Sequence, residues 1–259
     1  MCFFLWFKIK LMGNLLNILW VILAFIVFLL LFFISAPYGK FTSYKWGPTI
    51  PAKFGWFFME TPSSLLFLFY FFTGKHKTGI VEVLFLLIWE FHYVYRAFIY
   101  PFRMRGSDRA MPITIVLMAL FFNFMNCYFN ARYLFWLSPG YSVSWVVNPK
   151  FLIGVVMFFV GSYINRQSDM ILQNLRKPGD KGYYIPYGGL YKFTSNPNYF
   201  GELIIWTGWA MCTWSLAGAS FAIWTFANLA PRAVSNHKWY ISKFPDYPKQ
   251  RYILIPFVW

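Results

Sequence analysis

Polar residues crowd into two adjoining runs of this chain, NRQSDMILQNLRKPG (165–179) and YYIPYGGLYKFTSNPNYFGE (183–202), and long apolar segments flank both runs. Asp169 and Glu202 stand directly beside those apolar segments. A carboxylate among apolar helices carries a large desolvation cost, so it usually faces a partner, a cavity or a ligand. The two runs therefore predict helices that meet around a polar ligand.

The composition predicts an integral membrane protein. Hydrophobic residues make up 59% of the 259 residues and aromatic residues 25%, whereas charged residues make up 12%, and the mean hydropathy is +0.50. Soluble domains carry about 25% charged residues. Several crossings of about 20 residues each leave little chain for a separate soluble domain. We therefore expect one all-α, polytopic membrane domain that spans residues 1–259.

Seven apolar segments are candidate transmembrane helices, near residues 11–36, 54–73, 79–100, 111–136, 148–172, 200–214 and 217–232. The last two are divided at Ser215-Leu216-Ala217-Gly218, because residues 203–231 carry no charge and are too long for one comfortable crossing. With the N-terminus outside, sixteen of the 23 basic residues fall in the inside segments and six in the outside segments. The positive-inside rule then predicts an outside N-terminus and a cytoplasmic C-terminus.

Several classes of protein are excluded by the same sequence. The net charge is +15, but the basic residues are scattered between apolar segments and form no dense tract, so a nucleic-acid partner is not expected. Cys2, Cys127 and Cys212 are far apart and odd in number, which indicates neither a disulfide framework nor a CxxC metal site. No HExxH, Walker A or GxGxxG pattern occurs, so we expect no metal and no Rossmann domain.

The first polar run predicts one face of a helix that continues from the fifth apolar segment. Asn165, Asp169, Gln173 and Arg176 advance by four, four and three residues, and so they share a face. This stripe offers an amide, a carboxylate that can accept two ribose hydroxyls, and a guanidinium that suits phosphate. Those groups meet the requirements of a nucleotide, although a solvated helix end would show the same residues.

Two further polar faces also indicate a nucleotide site. Asn196 and Pro197 read as the start of a helix, and Asn198 and Glu202 follow one turn apart. In the last apolar segment the residues at intervals of four are Arg232, Asn236 and Tyr240. Three faces with phosphate and ribose chemistry on one membrane side favour a dinucleotide over three unrelated helix ends. The part from about 110 to 259 would carry most of this site, on the cytoplasmic side.

The N-terminal half carries polar residues suited to an apolar substrate. Trp56 and Glu60 lie one turn apart at the start of the second segment, and Tyr93 lies in the third segment with Glu90 and Arg96. A neutral carboxyl group and a phenol can both donate a hydrogen bond to a carbonyl. We expect Glu60 and Tyr93 to polarise a substrate carbonyl, whereas Glu90 and Arg96 are expected to pair structurally.

The chain resembles the membrane steroid 5α-reductases (3-oxo-5α-steroid 4-dehydrogenases) over nearly its whole length. The resemblance rests on Asn165-x-x-x-Asp169, Leu175-Arg176-Lys177-Pro178-Gly179, Tyr183-x-Ile185-Pro186-x-Gly188-Gly189-Leu190, Asn198-x-x-Gly201-Glu202, and the ending Asp246-Tyr247-Pro248 to Ile255-Pro256-Phe257. It implies a seven-helix membrane reductase that uses NADPH to reduce the Δ4 double bond of a 3-oxosteroid to the 5α product.

The resemblance also implies roles for particular residues. Glu60 and Tyr93 match the pair that holds the 3-oxo group, and Trp56 is expected beside the substrate. Human members of the family have Gln at the position of Met59 and His at that of Asn236, so the carbonyl here would depend more on Glu60 and Tyr93. The expected cofactor-binding residues are Asn165, Asp169, Arg176, Tyr183, Asn198, Glu202, Arg232, Asn236 and Tyr240.

Other functions stay open at this point. A related membrane enzyme could reduce a different lipid enone, an enoyl thioester or a polyprenol, or it could transfer a methyl group. A transporter or lipid-binding protein could use its intramembrane carboxylates as a proton or substrate path, although no internal repeat is visible. As partners we expect an apolar, steroid-like small molecule and membrane lipid, with the chain a monomer in the bacterial cytoplasmic membrane or the endoplasmic reticulum membrane.

Overall fold

The computed structural model describes residues 2–104, 108–177, 180 and 182–259 of the chain. The described part is mostly helical, with one short antiparallel pair of strands, β1 (Thr49–Pro51) and β2 (Ala110–Pro112). The helices are α1 (Cys2–Phe33), α2 (Ala52–Thr73), α3 (Ile80–Val94), α4 (Tyr100–Arg103), α5 (Ile113–Arg132), α6 (Pro149–Asn174), α7 (Pro197–Thr213) and α8 (Leu216–Lys243). Seven of these described helices are long, and they correspond one to one with the seven predicted segments.

Three stretches of the described chain are long and apolar enough to cross a membrane by length and composition: Leu15–Phe33, Ile80–Arg103 and Ile113–Leu137. Of the remaining helices, α2, α6 and α8 contain charged residues in their interiors, and α7 is short, with 17 residues. Many apolar side chains of α1 face outward, among them Phe25 and Leu30. These features fit a membrane protein, and seven crossings with an outside N-terminus stay a prediction.

The predicted division between the last two helices is confirmed. α7 ends at Thr213, Trp214 adopts a left-handed backbone conformation with φ of 43°, and α8 begins at Leu216. The Ser215 hydroxyl accepts a hydrogen bond from the backbone N–H of Gly218 at 2.9 Å and so caps α8. A serine cap directly after the αL residue makes the turn sharp enough to separate the two helices.

The start of α7 is also as predicted, with Asn196 at the cap position and Pro197 as the first helical residue. The expected capping hydrogen bond is absent, however. The Asn196 side chain instead donates to the carbonyl oxygens of Ala233 at 3.2 Å and Ile253 at 2.8 Å. Asn196 therefore ties the beginning of α7 to α8 and to the C-terminal segment.

Glycines bring α6 and α7 into direct backbone contact. A Cβ atom added to Gly201 would lie 2.6 Å from the backbone nitrogen of Asn165, and one added to Gly161 would lie 2.7 Å from the carbonyl oxygen of Gly201. Gly154 and Gly208 approach in the same way about two turns further along. Small residues allow helix backbones to pack this closely. The contact sets the polar stripe of α6 directly against the first turns of α7.

A π-helical turn, Tyr95–Ile99, interrupts the helix that runs from α3 into α4. Such a turn inserts an extra residue and changes the direction in which the following side chains point. Arg96 lies in this turn.

Candidate functional site

The guanidinium of Arg96 lies at the centre of a buried polar site. Its Nη2 atom is 4.0 Å from Oε1 of Glu60, and its Nη1 atom is 3.8 Å from Oδ2 of Asp169. Glu202 is close enough to interact with it electrostatically. The side chains of Arg96, Glu60 and Asp169 are 14%, 12% and 4% exposed. Three carboxylates thus share one buried guanidinium, which leaves carboxylate lone pairs for donors on a ligand.

Amide side chains join α6 to α7 around these carboxylates. Asn165 Nδ2 donates to the carbonyl oxygen of Asn198 at 3.0 Å and to Oε1 of Glu202 at 3.1 Å. Asn198 Nδ2 donates to Oδ1 of Asp169 at 3.2 Å, and Trp206 Nε1 donates to the other oxygen of Glu202 at 3.0 Å. Asn165 and Asp169 of the predicted α6 face therefore form one network with Asn198 and Glu202 of α7. The expectation that Arg176 continues this helical face is wrong, because α6 ends at Asn174.

Glu60 is held from α5. Asn123 Nδ2 donates to the carbonyl oxygen of Met59 at 2.6 Å and lies 3.3 Å from Oε2 of Glu60. Pro62 lies inside α2 and lacks an N–H group, so the carbonyl oxygen of Phe58, four residues earlier, loses its usual helical donor. Buried Tyr93 lies near enough to Glu60 and Glu202 for direct electrostatic interaction.

Aromatic rings pack against the guanidinium of Arg96. The guanidinium carbon is 4.9 Å from the ring centroid of Trp56 and 4.8 Å from that of Tyr100. Trp56 in turn meets Tyr38 edge to face, with centroids 6.4 Å apart. The guanidinium carbon of Arg232 lies over the ring of Tyr38, 3.5 Å from the ring centroid. A continuous row of rings and cations therefore connects Arg96 to Arg232.

Arg232 and Asn236 of α8 form a second network that adjoins the first. Arg232 Nε donates to the Tyr199 hydroxyl at 2.8 Å, and Asn236 Nδ2 donates to the same oxygen at 3.3 Å and to Oδ1 of Asn196 at 2.9 Å. Arg232 also reaches the carbonyl oxygens of Ala36 and Tyr38. Two of the predicted α8 residues thus meet the start of α7 and the segment that follows α1.

The remaining predicted residues lie in a basic and aromatic cluster around Tyr183 and Trp239. The Tyr183 ring lies between the guanidinium groups of Arg109 and Arg176, at 4.4 and 4.9 Å, and meets Trp239 edge to face. Lys40 Nζ lies 4.3 Å from the centroid of Trp239 and 4.2 Å from that of Tyr240, the third predicted residue of α8. Burial, and then the charge of Arg232, lower the pKa of Lys40 from 10.5 to about 7.

Sequence reasoning missed residues that the structure brings into the site. Arg96 was expected to pair with Glu90, and this expectation is wrong: Arg96 contacts Glu60 and Asp169, whereas Glu90 accepts a hydrogen bond from Ser64 at 2.6 Å. Residues 90 and 96 are six apart and lie on different faces of their helix. No spacing pattern in the sequence indicates Asn123 or Lys40 as a site residue.

Two buried polar groups beside the stripe have no hydrogen-bond partner among the described residues. They are the hydroxyl of Tyr191, which is 1% exposed, and Nε2 of Gln173. Burial, followed by smaller electrostatic contributions from Tyr240 and Asp169, raises the pKa of the Tyr191 hydroxyl well above its usual value. Both groups are therefore hydrogen-bond donors, and a ligand rich in oxygen would satisfy them.

Comparison with known proteins shows the family to which the chain belongs. The sequence model of the family described as 3-oxo-5-alpha-steroid 4-dehydrogenase matches residues 109–259. Steroid 5-alpha-reductase DET2 of Arabidopsis thaliana is 43% identical over 236 residues, which cover 89% of this chain and 90% of that protein. The 3-oxo-5-alpha-steroid 4-dehydrogenase 1 proteins of Mus musculus and Homo sapiens are each 41% identical, over 91% and 86% of this chain and 92% and 86% of their own lengths.

A helical membrane fold around a buried polar site, together with these relatives, defines a membrane-bound oxidoreductase. The chain belongs to the 3-oxo-5-alpha-steroid 4-dehydrogenase family, and the resemblance seen in the sequence is confirmed.

Proposed function

We propose that this enzyme reduces the Δ4 double bond of a 3-oxo-Δ4 steroid to the 5α-3-oxosteroid, with NADPH as the source of hydride. The observation that supports this most is the meeting of two walls at Arg96: Glu60 and Tyr93 on one side, and the α6–α7 network of Asp169 and Glu202 on the other. A carbonyl-binding pair beside a ribose-binding carboxylate is the arrangement that such a reduction requires.

Residues suited to hold the dinucleotide are those of the three polar faces. Asp169 retains lone pairs for ribose hydroxyls, and the unpartnered donors of Tyr191 and Gln173 suit ligand oxygens. Arg176 and Lys40, in the cluster around Tyr183 and Trp239, suit phosphate. The other residues proposed to contact the cofactor are Asn165, Tyr183, Asn198, Glu202, Arg232, Asn236 and Tyr240.

The chain's own part in the reaction is to bind and polarise the enone. Tyr93, and Glu60 in its neutral form, donate hydrogen bonds to the 3-oxo oxygen, where negative charge develops. Asn123 orients Glu60, and Trp56 packs against Arg96 beside the substrate. When bound, the cofactor supplies a hydride to C5. A proton taken up at C4 completes the addition of two hydrogens across the double bond.

Turnover by the pure protein tests this assignment. The full chain in detergent, given NADPH and testosterone or progesterone, should consume the cofactor and give a product two hydrogens heavier with 5α stereochemistry. Tyr93→Phe should lower turnover by about a hundredfold or more, the usual effect of removing one donor to a developing oxyanion, and Glu60→Gln should also lower turnover, because an amide N–H is a weaker donor than a neutral carboxyl group. Cofactor consumption with none of a panel of Δ4-3-oxosteroids would overturn the steroid assignment.

Matched variants separate chemistry from folding. Glu90→Gln changes a second partly buried glutamate that contacts Ser64 and lies outside the Arg96 network, and Tyr163→Phe removes an exposed hydroxyl of α6. Both should keep turnover near that of the unaltered protein. An equal loss in these variants would show that the effect at Glu60 or Tyr93 is structural.

Cofactor binding separates the rival reactions. NADPH should raise the melting temperature, whereas S-adenosylmethionine should leave it unchanged. The reverse result would favour methyl transfer, and NADPH binding without steroid turnover would favour another lipid enone, an enoyl thioester or a polyprenol. Proton-coupled uptake in vesicles without any cofactor would favour a transporter.

A further inference from the structure

We propose that the cleft between α1 and α5 binds a glycerophospholipid whose anionic headgroup carries a free hydroxyl, as phosphatidylglycerol does. The cleft opens at the surface of the protein. Its walls include Asn17 and Leu16 from α1 and Tyr128 and Arg132 from the end of α5. None of these residues takes part in the Arg96 network.

Arg132 supplies the charge that recognises the phosphate. In the part of the chain that the structure describes, no carboxylate lies within 4 Å of its guanidinium. Its Nη1 donates to the Tyr128 hydroxyl, and its guanidinium carbon lies 5.2 Å from the centroid of the same ring. A half-buried guanidinium held against a tyrosine keeps further N–H donors for a phosphate, and the Tyr128 hydroxyl retains its own proton to donate.

Asn17 supplies the second, independent feature. Its side chain is 8% exposed, and its Nδ2 donates to the carbonyl oxygen of Gly13 at 3.0 Å. Its Oδ1 accepts no hydrogen bond from any described residue. A buried amide oxygen without a donor costs free energy, and the headgroup hydroxyl would offset that cost. This acceptor is the reason that the ligand needs a hydroxyl as well as a charge.

The surface beside the cleft suits acyl chains. Leu15, Leu16 and Leu19 of α1 expose 55%, 39% and 51% of their surface, and Phe121 and Phe124 of α5 also face outward. Trp136, just beyond α5, is partly exposed, as is common for aromatic residues at the level of lipid headgroups. The polar groups at one end and the apolar helix faces alongside match the two parts of a phospholipid.

Thermal unfolding of the pure chain in an uncharged detergent, with lipids added back, tests the proposal. Dioleoylphosphatidylglycerol should raise the melting temperature by about 3 °C or more at saturation, and dioleoylphosphatidylcholine should raise it less. Native mass spectrometry should show one retained phosphatidylglycerol. Arg132→Gln and Asn17→Leu should each remove most of the shift and the retained lipid. Lys150→Gln should keep both the shift and the retained lipid, because Lys150 belongs to α6 and lies over the ring of Trp214.

Several results would overturn this assignment. Equal stabilisation by phosphatidylcholine would mean that the cleft does not recognise the charge of the headgroup. Equal stabilisation by phosphatidylethanol, an anionic phosphodiester whose headgroup has no hydroxyl, would remove the role of the hydroxyl. A shift produced by glycerol phosphate alone would indicate a free-anion site. Displacement of the lipid by testosterone would make the cleft a substrate passage. If Arg132→Gln does not fold, the Asn17→Leu variant still decides the question.

Discussion

Arg96 and Asp169 belong to different helices, and Nη1 of the arginine lies 3.8 Å from Oδ2 of the aspartate in the protein interior. The same guanidinium lies 4.0 Å from Glu60. Because Glu60 comes from α2 and Asp169 from α6, this arginine fixes the distance between the proposed substrate wall and the proposed cofactor wall. The geometry of the reaction would then depend on a residue that touches neither hydride nor double bond.

Replacing Arg96 with Gln should therefore reduce both stability and turnover. Removal of one member of a buried ion pair costs about 3–5 kcal/mol, because the remaining charges are left unpaired. We expect a lower melting temperature and a rise in the dissociation constant for NADPH, measured by fluorescence titration. Arg96→Lys should restore part of the stability, since a lysine keeps the charge but cannot contact Glu60 and Asp169 with a planar fork.

Arg166 offers the matched control for this variant. It lies on α6, and its Nη2 donates to the carbonyl oxygen of Phe91 at 2.9 Å near the surface. Arg166→Gln should change the melting temperature little. If Arg96→Gln and Arg166→Gln behave alike, the central role of Arg96 is wrong.

The Gly201 position should not tolerate a methyl group. A Cβ there would lie 2.6 Å from the backbone nitrogen of Asn165, so α6 and α7 would have to separate. Overpacking of this kind costs about 1–3 kcal/mol. Gly201→Ala should lower the melting temperature and weaken NADPH binding, since the hydrogen bond from Asn165 to Glu202 crosses this contact.

Gly13 of α1 is the control glycine. Among the described residues, a Cβ there would meet Leu137 Cδ1 at 3.8 Å, an ordinary contact. Gly13→Ala should be neutral or stabilising by up to about 1 kcal/mol, as expected for alanine in a helix interior. A stable Gly201→Ala protein with unchanged NADPH affinity would contradict the role given to the α6–α7 contact.

Local signals predicted much of the helical pattern. Pro197 after Asn196 and the small residues after Thr213 mark helix boundaries that the structure reproduces within a few residues. The spacing of Asn165 and Asp169 predicted a single face, and that face does meet Asn198 and Glu202. Such features depend on contacts within one helix or between successive helices, which a sequence records directly.

The parts of the site that sequence did not reveal depend on contacts between distant helices. Arg96 faces Glu60 and Asp169 because a π-helical turn changes its direction, and no spacing rule anticipates that turn. Asn123 of α5 reaches Met59 and Glu60 of α2 across 64 and 63 positions of the chain, a contact that no spacing within one helix records. Lys40 lies in a connecting segment without a pattern, and only its position against Trp239 and Tyr240 makes it notable.

Lys40 should couple cofactor binding to proton uptake. Its pKa is about 7 without ligand, so the amine is mostly neutral at pH 8. A bound phosphate would favour the charged form, and NADPH binding at pH 8 should then take up a proton. Calorimetry in buffers of different ionisation enthalpy measures this uptake. It should be smaller at pH 6, where Lys40 is already charged, and absent in Lys40→Met.

The same group gives a stability test without ligand. The folded pKa of Lys40 lies below the value of 10.5 expected when the chain is unfolded, so the unfolded state binds more protons between about pH 7 and pH 10.5. The contribution of Lys40 to the free energy of unfolding therefore rises with pH across that window. The destabilisation that Lys40 causes is largest below pH 7. Lys40→Met should stabilise the protein more at pH 6 than at pH 9. A pH-independent difference would contradict the lowered pKa.

Asn123 should matter for turnover more than for cofactor binding. Its amide donates to the carbonyl oxygen of Met59 and lies 3.3 Å from Glu60, so it orients the carboxyl group that we propose polarises the substrate. Asn123→Leu keeps the size of the side chain but loses both contacts. It should lower kcat by about tenfold, which corresponds to a rise of about 1.4 kcal/mol in the activation free energy when the Glu60 donor is misplaced. The dissociation constant for NADPH, measured by titration, should change little.

Asn148→Ala is the control, because Asn148 caps α6 far from Glu60 and its loss should cost about 1 kcal/mol of stability without lowering kcat. Equal kcat in the Asn123→Leu and unaltered proteins would mean that Glu60 is oriented by Arg96 alone.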